Sequence, residues 1–264
     1  FGFIGSENMF KEYPEEMGVT ESDEWLIFGG HRLWHAPEAI PRTYYPDLEP
    51  VLIQETEEGL IATQKPEPTT GLQKQIEIKI AKDQPEVQLT HRLINHNLWV
   101  VETAPWALSV MAQGGTAILP LPPRGPHPEF LLPTATLSIW PYTDLSDPRW
   151  MLGERFFLLA QDPDIARPQK LGMFAPDGWA AYANHNCIFL KQIPLQFEGE
   201  YPDLGANFEV FTDDTMLELE SLGPIEAIPP KGQIDHQEHW TLIKDVPAPK
   251  SDQDVINTIF PHLE

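Results

Sequence analysis

The sequence predicts an all-β protein, a sandwich or barrel of many short antiparallel strands. The clearest sign is Gln75-Ile-Glu-Ile-Lys-Ile80, whose strict alternation puts its apolar side chains on one face of a half-buried strand. The 28 prolines, with recurrent turn signals, cut the chain into short pieces. Few long windows show a helical period. Many short strands separated by turns suit packed antiparallel sheets rather than a parallel sheet flanked by helices.

The strands are expected at 51–56, 60–64, 75–80, the run through Val87, Leu89, His91 and Leu93, then 98–111, 116–121, 136–140, 155–160, 178–183, 187–193, 208–212, 216–222 and 238–243. Lys82-Asp-Gln-Pro85 reads as a hairpin loop. Two short helices are expected, at 7–13 and at 252–260, where Ser251 can cap. Leu121-Pro-Pro-Arg-Gly-Pro-His-Pro128 reads as a long surface loop because strands of similar character flank it. There is no fixed-period repeat. The expectation is a single domain over residues 1–264.

A formal charge of -23, from 40 acidic and 17 basic residues, repels phosphate backbones and anionic lipid, so nucleic acid and membrane are not expected partners. No apolar run approaches a membrane span. One cysteine, Cys187, excludes an internal disulfide and points to a reducing compartment, the cytoplasm. Its surroundings hold nothing that would activate the thiol. The chain begins at Phe1 without methionine, which leaves room for a preceding leader.

Three segments could carry chemistry. In Gly29-Gly-His-Arg-Leu-Trp-His-Ala-Pro-Glu38, an extended backbone points His31 and His35 one way and Arg32 and Trp34 the other. Arginine and tryptophan on one face suit a sugar, offering donors to hydroxyls and a ring to the pyranose C–H face. Equally, Trp34 can be core and the histidines can satisfy buried backbone groups. His31 and His35 could also pair on a metal. In Leu217-Glu-Leu-Glu220 both carboxylates share one face, where each can raise the other's proton affinity; the alternative is a wet face. In Asp235-His-Gln-Glu-His-Trp240, the two histidines fall on opposite faces of a strand and no third ligand has diagnostic spacing, so no metal site and no cofactor are expected. Nucleotide-binding glycine loops and a nucleophile elbow are absent.

The first of these segments, with Leu89-Thr-His-Arg-Leu-Ile-Asn95, Ala104-Pro-Trp-Ala-Leu108, Gly114-Gly-Thr-Ala-Ile-Leu-Pro120, Gly178-Trp-Ala-Ala-Tyr182 and Glu218-Leu-Glu-Ser-Leu-Gly-Pro224, resembles an uncharacterised family related to the aldose 1-epimerases. The resemblance implies a galactose mutarotase-like β-supersandwich. It also implies that Phe1-Gly-Phe-Ile-Gly-Ser-Glu-Asn-Met9 ends an N-terminal hairpin whose first strands are missing. By the same resemblance Arg32 corresponds to a substrate-contacting arginine and Glu220 to the general base, with Glu218 as the same-face alternative. The acid histidine of the epimerases falls near Trp106, a ring that can stack on sugar but cannot protonate a ring oxygen. An epimerase of this kind removes the anomeric proton with a carboxylate while an acid protonates the ring oxygen.

Two functions follow. One is an aldose 1-epimerase-like isomerase acting on a sugar or oligosaccharide, with Glu220 as base, His35, His91 or His96 as acid, and Arg32, Trp34, Trp106 and Glu218 binding the substrate. The other is a non-catalytic carbohydrate-binding protein that keeps the fold and cleft. A metal-dependent hydrolase or lyase is the third and weakest reading.

Overall fold

A computed structural model describes residues 1–263. Its strands, in chain order, are β1 (Gly30–Ala36), β2 (Leu52–Glu55), β3 (Gly59–Thr63), β4 (Leu72–Ile80), β5 (Glu86–Asn95), β6 (Val101–Met111), β7 (Thr116–Pro120), β8 (Leu137–Ile139), β9 (Trp150–Leu152), β10 (Phe156–Ala160), β11 (Gln169–Met173), β12 (Trp179–Asn184), β13 (Cys187–Gln192), β14 (Phe208–Thr212), β15 (Leu217–Leu222), β16 (Glu226–Ile228) and β17 (Gln233–Lys244). They form two antiparallel sheets. The smaller runs β1-β6-β15-β14-β11-β8, with β16 added on β6; the larger runs β2-β3-β4-β5-β17-β13-β12-β7-β10-β9.

The alternation that predicts the strands also dictates the layers. Leu89, Phe189 and Leu242 of the larger sheet pack against Val210, Leu217 and Leu219 of the smaller one, all buried. Their opposite parity faces outward. On the larger sheet that outer face is covered in part by the C-terminal helix Asp252–Thr258, where Val255 and Ile259 meet Phe156, Trp179 and Leu190. Ser251 caps this helix by accepting from the Asp254 N–H, as its sequence predicts. On the smaller sheet the outer face carries Trp34, Trp106, Leu108 and Leu222, partly covered by Trp25 and Tyr44.

Two expectations need correction. The segment 7–13 is not helical: Phe10 bridges Met111 and Glu12 bridges Gly29. The glycine is required there, since its φ is +79° and a Cβ would lie 2.1 Å from the Lys11 carbonyl oxygen. The second correction is an omission. Strands β9, β11 and β16 are not among the expected ones, and β11 supplies the lysine at the centre of the site described next. The proline-rich stretch after β7 is irregular up to β8, as expected of a surface loop. No helix among the described residues is long and apolar enough to cross a membrane.

Candidate functional site

The outer face of the smaller sheet gathers the carboxylates. Strand register sets Glu220 opposite Leu108 on one side and opposite Glu209 on the other, while Glu218 pairs with Val110 and with Phe211. Glu218 and Glu220 therefore share a face, as the Leu-Glu-Leu-Glu alternation predicts. Two carboxylates directly opposite each other are repulsive. The conflict is resolved by Lys170 of β11, whose Nζ lies 2.8 Å from Glu209 Oε2 and donates to Glu220 Oε2 at 2.9 Å and to Oε1 at 3.1 Å. Gly172, the β11 residue paired with Glu209, makes room: a Cβ there would lie 3.2 Å from Glu209 Cγ and 3.4 Å from the Trp140 ring.

Lys170 Nζ sits between two indoles, 4.7 Å from the Trp106 ring centroid and 4.9 Å from that of Trp140. The Trp106 indole N–H donates to Glu220 Oε2 at 2.7 Å. Glu220 is thus fully buried, with both oxygens engaged. Burial works against the Lys170 charge, yet Glu209 and Glu220 more than offset it and hold the ammonium well above its ordinary range. Burial pushes the Glu209 carboxyl well up, and Lys170 only partly opposes this. Glu218 is half-buried and no side chain pairs with it among the described residues. Burial, and then the neighbouring Glu220, push it up to about 8, so it is largely a neutral acid at pH 7.

Around Glu218 the face opens. Trp140 and Tyr44 are half-buried, and Tyr142 and Glu38 are exposed. The Tyr44 hydroxyl donates to Glu38. The arrangement offers aromatic edges, a carboxylic acid and a carboxylate on one open surface, which is what a neutral polyol needs for stacking and paired hydrogen bonds.

The remaining expected site residues do not face a ligand on this surface. Trp106 and Trp34 share the outer face but are only 2% and 5% exposed, in T-shaped contact at 5.1 Å, with Trp25 and Tyr44 over Trp34. Neither presents a ring to a ligand, so the stacking platform expected at Trp106 is a buried hydrogen-bond donor. Arg32 sits opposite Leu108 in register with Glu220, but β1 is an edge strand and the guanidinium turns over that edge. It donates to the Leu26 carbonyl at 2.8 Å and to Asp47 Oδ1 at 3.1 Å, in a cleft of about 280 Å³ that Lys74 and Gln64 also line.

His35 and His91 do not accompany Glu220. The pleat that sends Glu220 outward sends His35 of β1 inward, and His91 reaches the space between the sheets from β5 of the larger sheet. His35 is 1% exposed, 3.6 Å from Glu67, and His91 is fully buried against His31 and the His236 carbonyl. His96 is remote as well, bonded to Gln73 on the larger sheet. Lys170, Glu209 and Trp140 are the residues the sequence did not reveal. A signal existed for Glu209, a lone carboxylate inside the strand Phe208-Glu-Val-Phe-Thr212.

Comparison with known proteins finds no matching family model and no matching curated protein. Solved structures do match. A candidate mutarotase from Salmonella typhimurium superposes with TM-score 0.53 at 11% identity, over 91% of this chain and 82% of its own. A Synechocystis protein gives TM-score 0.53 at 9% identity, over 89% of this chain and 84% of its own. A TPR-domain containing protein from Parabacteroides distasonis gives TM-score 0.53 at 13% identity over 84% of this chain, which spans only 38% of that longer protein. The fold is galactose mutarotase-like, the β-supersandwich that the sequence resemblance implies.

Proposed function

We propose that this chain is a carbohydrate-binding protein on a galactose mutarotase-like fold, holding a neutral sugar or oligosaccharide on the outer face of the smaller sheet without turning it over. The observation that carries the reading is the state of Glu220. A general base needs a free lone pair within reach of the substrate proton. Both Glu220 oxygens are engaged by Lys170 and Trp106, and the side chain is sealed from solvent. No histidine stands beside it to act as acid among the described residues. The ligand surface is then Trp140, Tyr142, Tyr44, Glu38 and Glu218. The overall charge of -23 disfavours an anionic ligand. The whole of residues 1–264 forms the binding domain in this reading, and the half-buried Cys187, its thiol pushed up by burial, suits the cytoplasm.

A second reading keeps catalysis. Glu218, raised to about 8, is a proton donor poised for neutral pH, and it could protonate a ring oxygen where a histidine does so in the epimerases. It lacks a free partner base, which ranks it below simple binding.

Saturation-transfer NMR against mono- and oligosaccharides tests the site. We expect transfer to at least one neutral sugar, lost in Trp140→Ala and weakened in Glu218→Ala. Transfer that survives both substitutions unchanged places the sugar elsewhere.

A further inference from the structure

Between the two sheets, on the far side of β15 from the carboxylate face, lies a second polar cluster that the sugar site does not use. His31 of β1, His91 of β5 and Glu238 of β17 bring one ligand atom each within 4.8 Å of one another. His31 Nε2 is 2.7 Å from His91 Nε2 and 3.7 Å from Glu238 Oε2. We propose that these three side chains bind a borderline divalent cation such as Zn²⁺, which would clip the smaller sheet to the larger one.

The tautomers favour it. His91 Nδ1 lies 3.0 Å from the His236 carbonyl oxygen, which can only accept, so Nδ1 carries the proton and Nε2 offers its lone pair. His31 Nδ1 lies 3.0 Å from Ser109 Oγ, and a hydroxyl can donate or accept. His31 can therefore move its proton to Nδ1 and keep its bond to Ser109, giving up only the Nε2–H···Nε2 bond to His91 that the cation replaces. Glu238 Oε2 accepts one bond, from the Trp240 indole at 2.7 Å, and keeps a lone pair; Oε1 is held by Lys191 at 3.0 Å and by Ser221. Every ligand thus has the outer partner that fixes a metal ligand's orientation. Two imidazoles and a carboxylate form a donor set that zinc takes in three-ligand sites. Tetrahedral zinc holds two ligand atoms about 3.3 Å apart, so the rings part by about 0.6 Å and the Glu238 carboxylate moves inward. Entry would be by the sheet-edge cleft that His31 lines with Arg32, where the His31 side chain is 8% exposed. The opposing feature is the Lys191 ammonium, 3.0 Å from Glu238 Oε1.

Chelator-treated protein is dialysed against Zn²⁺ alone, and bound metal and thermal midpoint are measured together. We expect one ion per chain and a higher midpoint with metal. His31→Ala should weaken binding about 100-fold or more, His91→Gln likewise, and Lys191→Met should strengthen it. His96→Ala, bonded to Gln73 just past β5, and His239→Ala, whose side chain meets Glu86 on the opposite face of β17 from Glu238, should leave it unchanged. Should His91→Gln not fold, His31→Ala decides, since its side chain is at the cleft. Absence of stoichiometric uptake overturns the proposal, as does uptake indifferent to His31→Ala or abolished by His239→Ala.

Discussion

Trp106 stands where a catalytic histidine is expected, and the structure turns that substitution into a packing and hydrogen-bonding role. The ring is 2% exposed, is flanked by Trp34 and Lys170, and donates to Glu220. Trp106→Ala should therefore cost about 3–5 kcal/mol of stability, read by urea unfolding, because it opens a cavity and unpairs a buried carboxylate oxygen. A loss well under 1 kcal/mol together with lost sugar binding would restore the stacking role. Lys170 is the sharper case. Lys170→Met leaves Glu209 and Glu220 buried without a cation, and about 3–5 kcal/mol should be lost. Adding Glu220→Gln should recover part of that, since the uncompensated charge is then gone; a double variant less stable than Lys170→Met contradicts the pairing.

At the scale of the strand, one rule governs both what was legible and what was not. Period-two alternation correctly puts Glu218 with Glu220, and Arg32 with Trp34 against His31 with His35. What the sequence lacks is register. Only once Trp34 is known to lie across from Trp106, and Leu222 beside it, is it clear that the parity of Glu220 is that of Trp34 and not that of His35. No histidine joins Glu220 as an acid, because His35 has the opposite parity and His91 and His96 belong to the larger-sheet side. Strand β11 was invisible because all five of its residues are buried, two of them polar, so no alternation marks it. With it went Lys170, whose partners arrive from strands about 40 and 50 residues downstream.

The same pleat makes a pH prediction. Burial holds His31 and His91 below their ordinary range and drives His236 down to about 3. The unfolded chain then binds more protons than the folded one below about pH 6.5. This contribution to stability is complete above that pH and is lost as pH falls toward 3. The histidines should lower denaturant midpoints from about pH 6.5 downward, against the opposite contribution of the raised Glu218 and Glu209 carboxyls, which is complete below about pH 4.5. A midpoint flat to pH 4 with those two carboxyls replaced by amides would mean that the histidines are solvated.

On the scale of the whole molecule, the two sheets divide the labour. The space between them holds the histidine and Glu238 cluster, and the outer face of the smaller sheet holds the carboxylates and open aromatics. The fold was readable because short alternating strands and turn chemistry point to packed antiparallel sheets at every step of the chain. The site was readable only in part, since long-range pairing alone joins β6, β11, β14 and β15.

The central claim is that a sugar is held on this face without anomer exchange, because Glu220 is spent on Lys170 and Trp106. The direct measurement is the rate at which a freshly dissolved pure anomer of a bound sugar equilibrates, followed by NMR with and without the protein near pH 7. The account predicts the buffer rate at every protein concentration while saturation transfer reports binding. Acceleration proportional to protein, abolished by Glu218→Gln or Glu220→Gln, would contradict it and make the chain an enzyme.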